Sequence, residues 1–255
     1  MKLSNRTFIV TGAASGLGEA VTRRFHAQGA QVVIADLNET TGQALTEELG
    51  DRALFVKTDV ADEASAQHCI NAAVKAYQQI NGLVNCAGIP GAERILGRDG
   101  IHRLETFSRA INVNLIGTFN MLRFAAEQMQ HNAPGDSNER GVIINTASVA
   151  AFDGQVGQAG YSASKGGVCA MTLPIARELA NFGIRVVTIA PGLFKTPMMA
   201  ALPEEVQDSL GQSVPFPKRL GEPDEYAQLA QQIVENMMIN GEVIRLDGAI
   251  RMAAR

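Results

Sequence analysis

Short apolar runs rich in β-branched residues alternate with longer amphipathic stretches along the 255-residue chain. The runs at 7–11 (TFIVT), 31–35 (QVVIA), 53–58, 82–84, 142–144 (VII), 185–190 and 242–246 predict seven strands. Nearly continuous apolar runs of this kind belong to strands covered on both faces. Between them the helical period predicts helices after Gly18, over 39–49 and 63–78, through INVNLIGTFNMLRFAAEQM at 111–129, from the Tyr161 region to Leu179, and over 224–235. Alternating strands and helices joined by short connections imply right-handed crossovers and a parallel sheet. In such sheets ligands gather beyond the carboxyl ends of the strands.

Three stretches depart from the alternation. Residues 89–100 (IPGAERILGRDG) read as an irregular loop over the sheet edge, and 131–141 (HNAPGDSNERG) as a polar surface loop without chemistry. The segment 193–216 carries Leu193, Phe194, Leu202, Leu210, Val214 and Phe216 without strand alternation. It fits either a mobile lid over an apolar substrate or a helical pair packed on its own domain. Asn112 and Asn114 fall in mid-helix, where asparagine is mildly unfavourable and exposure is the ordinary explanation.

Composition narrows the function classes. Charged residues make up 19% of the chain and the net charge is −4, so no basic footprint for nucleic acid is expected. Cys69, Cys86 and Cys169 show no CxxC spacing and sit among apolar residues, as reduced core cysteines do. His26, His68, His102 and His131 have no ligand spacing, so no metal is expected. The sequence MKLSNRTFIVTG enters a strand at once, and no apolar run reaches the ~18 residues of a membrane span. A cytoplasmic protein with neither a targeting segment nor a membrane partner is the expectation.

The first strand ends in a glycine loop, GAASGLG, holding Gly12, Gly16 and Gly18. A glycine-rich turn from strand to helix lets the backbone approach a pyrophosphate and presents it the unpaired N–H groups of the helix start. The second strand ends in Asp36, about twenty residues on, where a dinucleotide fold puts the acid that binds the adenosine ribose hydroxyls. A carboxylate there repels a 2′-phosphate, and Leu37 and Asn38 supply no arginine to hold one, which points to NAD rather than NADP. Taken by itself an acid after a strand is more often a helix N-cap; the glycine loop gives it the second meaning. Asp59, the 85–88 stretch and Ser148 fall on the same edge of the sheet. The fold class is therefore α/β: a single doubly wound (Rossmann) domain over 1–255, its parallel seven-stranded sheet flanked by helices on both faces, with 193–216 as a substrate lid.

The stretch 141–165 (GVIINTASVAAFDGQVGQAGYSASK) carries the candidate chemistry. Its strand delivers Ser148, and the helix that follows holds Tyr161 and Lys165 four residues apart on one face. A hydroxyl, a phenol and an ammonium converging on one point suit proton exchange with an alcohol or carbonyl oxygen. For a tyrosine to act as a base near neutral pH its pKa must fall by roughly two to three units, about 3–4 kcal/mol. One ammonium about 4 Å away supplies on the order of 4 kcal/mol at an effective dielectric near 20. Lys165 alone nearly suffices on this reckoning, and a nicotinamide cation would add to it.

With TGAASGLG at 11–18, NCAG at 85–88, Asn114, Ser148, Tyr161-x-x-x-Lys165 and PGLFKTP at 191–197 in this order, the chain resembles the short-chain dehydrogenase/reductase family over nearly its whole length. The resemblance implies that Tyr161 is the general acid/base. Lys165 would lower its pKa and bind the nicotinamide ribose, Ser148 would stabilise the reacting oxygen, and Asn114 would hold a proton-relay water. It implies cofactor contacts from Gly12, Ser15, Gly16, Leu17, Gly18, Asp36 and Leu37 at the first two strands, and from Asn85, Ala87, Gly88, Pro191, Gly192 and Phe194 beyond them. Asp59 and Val60 would meet the adenine and Thr196 the nicotinamide amide. Cys86 departs from the commoner NNAG, a change expected to leave the chemistry unaffected.

The stretches 141–167, 171–180, 188–197, 214–223 and 240–252 are similar to the type 2 L-3-hydroxyacyl-CoA dehydrogenases. That resemblance implies NAD⁺-dependent oxidation of short or branched 3-hydroxyacyl-CoA, including 3-hydroxy-2-methylbutyryl-CoA, by a homotetramer. Ser148 and Tyr161 would face the substrate, and Gln155 and Gln158 the acyl chain or thioester. Arg94, Arg98, Lys195, Lys218 and Arg219 are candidates for the CoA phosphates by charge and position. A hydroxysteroid or another secondary alcohol is the alternative substrate, and a scaffold role in an RNA-modifying complex the non-enzymatic alternative.

Overall fold

In β1 (Thr7–Thr11), Phe8 and Val10 enter a core on one side of the sheet while Ile9 enters a second core on the other. The same period of two splits Val142 and Ile144 from Ile143 in β5 (Gly141–Thr146). This two-sided burial is why the strands read as unbroken apolar runs. The computed structural model describes residues 1–98 and 100–254. With β2 (Gln31–Asp36), β3 (Ala53–Lys57), β4 (Gly82–Asn85), β6 (Ile184–Pro191) and β7 (Val243–Leu246), the strands form one parallel sheet in the order β3-β2-β1-β4-β5-β6-β7. The order reverses between β1 and β4, and the crevice at that switch point is where an open α/β sheet receives its ligand.

Helices α1 (Gly16–Ala27), α2 (Glu39–Leu49) and α9 (Pro223–Glu235) bury Phe25, Leu45 and Ile233 on the first face. The second face is covered by α3 (Glu63–Tyr77), α5 (Gly117–Met129) and α6 (Ala159–Leu179), through Ile70, Met121 and Ala176. Among the described residues no helix is long and apolar enough to cross a membrane.

Four local readings change. The 89–100 stretch carries a small antiparallel hairpin, Leu96–Gly97 with Gly100–Ile101; residue 99 lies outside the described residues. The helix predicted around Asn114 is two helices, α4 (Leu104–Ile111) and α5, joined by a π turn over Asn112–Ile116. Asn112 is exposed there, but Asn114 is fully buried, so exposure does not explain it. The 193–216 segment folds into α7 (Pro197–Ala200) and α8 (Glu204–Gln212), anchored by the buried Phe194 and Val214. The polar 131–141 loop does contain a buried group: the Glu139 carboxylate accepts from Arg185 Nε at 2.7 Å at the amino-terminal edge of the sheet.

Arg185 also donates to the carbonyls of Ile233, Val234 and Ile239, so removing the acid leaves its guanidinium buried without its counter-charge. Replacing Glu139 by Ala is expected to destabilise the fold by about 3–5 kcal/mol. Urea unfolding checks it, and an unchanged midpoint would contradict it.

Candidate active site

The loop between β1 and α1 is shaped by three glycines. Gly12 has φ +61° and Gly16 φ +56°, a left-handed conformation that a side chain strains. A Cβ on Gly12 would lie 2.9 Å from the backbone of Ala87, so the β1 and β4 loops touch only because it has none. A Cβ on Gly18 would lie 2.1 Å from the Gly12 carbonyl oxygen, which lets α1 start directly against the loop. Ser15 caps α1 without a side-chain hydrogen bond, which leaves its exposed hydroxyl and the first N–H groups of the helix facing outward.

Asp36 closes this cradle. One carboxylate oxygen accepts from Ala14 N at 2.9 Å and the other from Asn38 N at 2.9 Å. It is not the N-cap of α2; Asn38 is, accepting from Thr41 N. The carboxylate is thus fixed to the glycine loop with lone pairs still available, as ribose hydroxyls require. The glycine cradle, the open helix start and Asp36 together fit a dinucleotide. Gly18→Ala forces a methyl onto backbone that has no room to shift. Overpacking of about 1–3 kcal/mol should weaken NADH binding by roughly tenfold or more, read by fluorescence titration. Unchanged affinity would refute the cradle.

Beyond β5, Ser148 is buried, caps a single 3-10 turn over Val149–Ala151, and accepts from Ala150 N at 3.1 Å. Its hydroxyl interacts with the Tyr161 phenol. Lys165, one helical turn along α6, is 4% exposed and donates from Nζ to the Thr146 carbonyl at 2.8 Å. An ammonium carries three donors, so two of its N–H bonds remain for other acceptors. Gly88 passes directly over it: a Cβ there would lie 3.4 Å from Nζ.

The electrostatics correct one expectation. Burial pushes the Tyr161 phenol above its ordinary value, and the Ser148 contact only partly offsets this. Lys165 lies 5.9 Å from the centre of the tyrosine ring, and burial lowers its own pKa to about 8. Desolvation, left out of the simple Coulomb reckoning, therefore outweighs the ammonium. The positive charge of a bound nicotinamide would act with the ammonium against this burial.

The Asn114 side chain is fully engaged in hydrogen bonds. Its Oδ1 accepts from Ile89 N at 2.8 Å, while Nδ2 donates to the Ile89 carbonyl at 3.0 Å and to Ser164 Oγ at 3.1 Å. Ser164 Oγ in turn donates to the Tyr161 carbonyl at 2.7 Å. Both amide protons are used, so this side chain ties the loop after β4 to the helix that carries Tyr161. The π turn is what aims it there.

The other predicted residues divide between the edge and the framework. Ala87 N donates to Thr11 Oγ1 at 3.1 Å, which holds the NCAG loop beside the cradle. Asp59 is exposed and turns the chain through Ala61 N, while Val60 is buried against Gly117. Leu17 is half-buried against the core of the first face, and Leu37 stands exposed beside Asp36. Pro191 ends β6 and Gly192 follows it, pressed against Asp247. Thr196 caps α7 and lies next to Gly16. Asn85 is a sheet residue, its Nδ2 donating to Asn145 Oδ1 at 3.0 Å, and the Phe194 ring packs against Gly221.

Gln155 and Gln158 are hydrogen-bonded within the loop and to the C-terminal segment. Gln155 Nε2 donates to the Ala253 carbonyl, and Gln158 Oε1 accepts from Gln155 N. Arg245 clamps the same loop by donating to Asp153 while stacking on Phe152. Of the cations considered for CoA, Lys195 is paired with Glu222 and Arg219 with Glu225, whereas Arg94, Arg98 and Lys218 are exposed. Ser164, Thr11 and Thr146 were missed by sequence reasoning. Small hydroxyl residues in apolar strands and helices give no signal until a partner is in place.

The chain matches the short chain dehydrogenase family over residues 6–207. It is 53% identical to the 3-hydroxyacyl-CoA dehydrogenase type-2 of Drosophila melanogaster, over 98% of this chain and 99% of the relative. With that of Homo sapiens it shares 54% identity, over 96% of this chain and 94% of the relative. The crystal structure of 3-hydroxyacyl-CoA dehydrogenase type-2 from Mycobacterium avium superposes with TM-score 0.92 at 43% identity, covering 98% of this chain and 97% of the other. The 3-ketoacyl-(acyl-carrier-protein) reductase from Brucella melitensis complexed with NADH gives TM-score 0.88 at 30% identity, covering 98% and 100%.

Proposed function

The chain belongs to the short chain dehydrogenase family and is an oxidoreductase using a nicotinamide cofactor, and on that premise we propose that it oxidises the 3-hydroxyl of short or branched 3-hydroxyacyl-CoA thioesters with NAD⁺. The observation that carries the reading is Tyr161 facing Ser148 above a buried Lys165, at the edge where the glycine cradle and Asp36 stand. When bound, the nicotinamide supplies the acceptor for the hydride that leaves C3. Ser148 holds the substrate hydroxyl by a hydrogen bond, and Tyr161 removes its proton as the carbonyl forms. Lys165, with two N–H bonds left over, would hold the nicotinamide ribose, and its charge together with the cofactor's would bring the phenol's pKa down. Asn114 and Ser164 keep the backbone of Tyr161 in register with the loop over Lys165.

Two features favour a CoA thioester. The 3-hydroxyacyl-CoA dehydrogenase relatives match nearly end to end. The hairpin after β4 is joined to the loop between Ser148 and Tyr161 by Glu93 N donating to the Gly157 carbonyl at 2.8 Å. That hairpin exposes Ile95, Leu96 and Ile101 beside Arg94 and Arg98, apolar and basic surface suited to a pantetheine arm and its phosphates. We read 193–216 as the lid over the acyl chain and the assembly as a homotetramer, with exposed Ile116, Phe119 and Leu173 supporting an association face.

Specificity constants measured side by side test the substrate: L-3-hydroxybutyryl-CoA and 3-hydroxy-2-methylbutyryl-CoA against a 17β-hydroxysteroid, each with NAD⁺. Preference for a CoA thioester is expected. Turnover of the steroid alone would overturn the substrate and leave the chemistry standing.

A further inference from the structure

Tyr226 lies on α9, on the far side of the sheet from α6, and is fully buried. A phenol at such depth needs a partner. It has one in Thr146, whose Oγ1 lies 2.7 Å from the Tyr226 hydroxyl, and a second in the Cys86 sulfur at 3.9 Å. Thr146 Oγ1 also donates to Cys86 Sγ at 3.6 Å. Thr146 is the residue whose carbonyl receives Lys165 Nζ.

We propose that Tyr226 is a positioning residue for the reaction: it pins Thr146 from behind the sheet, and so fixes the carbonyl that sets where the Lys165 ammonium sits. The inference rests on the dehydrogenase reading above. Tyr226 is buried behind the sheet and acts through Thr146. Cys86, where the commoner motif has asparagine, completes the triangle, so this position is not neutral with respect to the site.

The titratable groups facing Lys165 are Cys86 after β4, Cys169 one turn along α6, and the Tyr161 phenol. Tyr226 comes up against the first of these from α9. Both thiols are pushed up by burial, and their charge coupling to Lys165 only partly offsets the burial that lowers the lysine. The lysine is already held down to about 8 by burial, and the Thr146 carbonyl is the acceptor that favours its charged form. Losing the pin lets this carbonyl drift and lowers the lysine further. The phenol of Tyr161 then loses positive charge nearby and its pKa rises. For oxidation, which needs the phenolate, the acidic limb of the rate profile must move to higher pH.

The test is the pH dependence of kcat/KM for L-3-hydroxybutyryl-CoA oxidation in Tyr226→Phe, which keeps the ring and removes the hydroxyl. The acidic limb should move up by roughly half a unit or more, with kcat down about fivefold at neutral pH, the factor of one buried hydrogen bond. Thr146→Ser, which keeps the hydroxyl, should retain the native profile, and Thr146→Val should reproduce the shift. This second pair decides the matter if Tyr226→Phe fails to fold. A stable Tyr226→Phe or Thr146→Val with a superimposable profile and kcat within twofold would overturn the proposal, leaving Tyr226 as packing only. If Tyr161→Phe is inactive at the same time, the dehydrogenase reading survives; if Tyr161→Phe stays active, that reading itself has failed.

Discussion

Tyr161→Phe is expected to lower kcat by about 10²–10⁴-fold while leaving NADH affinity within a factor of about two. Tyr161 provides the ionisable group that faces Ser148 across the sheet edge, and phenylalanine preserves its ring against Lys165 while abolishing proton transfer. The native enzyme should oxidise its substrate faster as pH rises, because the phenol must lose its proton to act as a base. Reduction of the ketone should show the opposite trend, since the same group must then carry its proton. The variant should lose this pH dependence along with the rate. Stopped-flow measurement of NADH formation gives the rate, and fluorescence titration gives the affinity. A variant turning over near the native rate would remove Tyr161 from the chemistry, whereas one that also fails to bind NADH would show a distorted site.

Asp36→Ala is expected to raise KM for NAD⁺ by roughly a hundredfold and to narrow the preference for NAD⁺ over NADP⁺. Hydrogen bonds to a charged group are worth about 1.5–3 kcal/mol each, and a tenfold change in affinity corresponds to about 1.4 kcal/mol. Removing the carboxylate eliminates the ribose acceptor and the repulsion of a 2′-phosphate together. It also frees Ala14 N, so part of the loss comes from a looser glycine loop. Asp36→Asn separates the two contributions, since its amide oxygen can still accept from the loop while the negative charge is gone. If the native protein favours NADP⁺, or if Asp36→Ala leaves selectivity unchanged, the role assigned to Asp36 is wrong.

The sheet was readable because strands covered on both faces leave an unmistakable mark: Val142, Ile143 and Ile144 are apolar whichever way they point. The cofactor cradle was readable for a related reason, as Gly12, Gly16 and Gly18 are each required by backbone geometry that no other residue tolerates well. Asn114 was legible in part. Its residue type stood out in a helix, but burial and a π turn, not exposure, account for it. A π turn depends on how α4 and α5 pack, and periodicity alone does not encode it. The balance of charges at Tyr161 was misjudged because Coulomb attraction scales with one distance, while desolvation depends on everything packed around the pair. The hydrogen bond from Gln155 to Ala253 was not legible, because residues almost a hundred positions away fold back onto its loop. Nothing in the sequence singles out Tyr226. Only the sheet between α9 and α6 brings it against Thr146, and through Thr146 to Lys165.

The most direct test of the chemistry follows the hydrogen at C3. L-3-Hydroxybutyryl-CoA deuterated at that carbon is incubated with NAD⁺ and the native protein, and the nicotinamide product is analysed by mass spectrometry. The geometry predicts NADH carrying the deuterium, formed together with acetoacetyl-CoA. Unlabelled NADH, or no NADH at all while the protein binds the cofactor, would contradict hydride transfer from the 3-hydroxyl carbon.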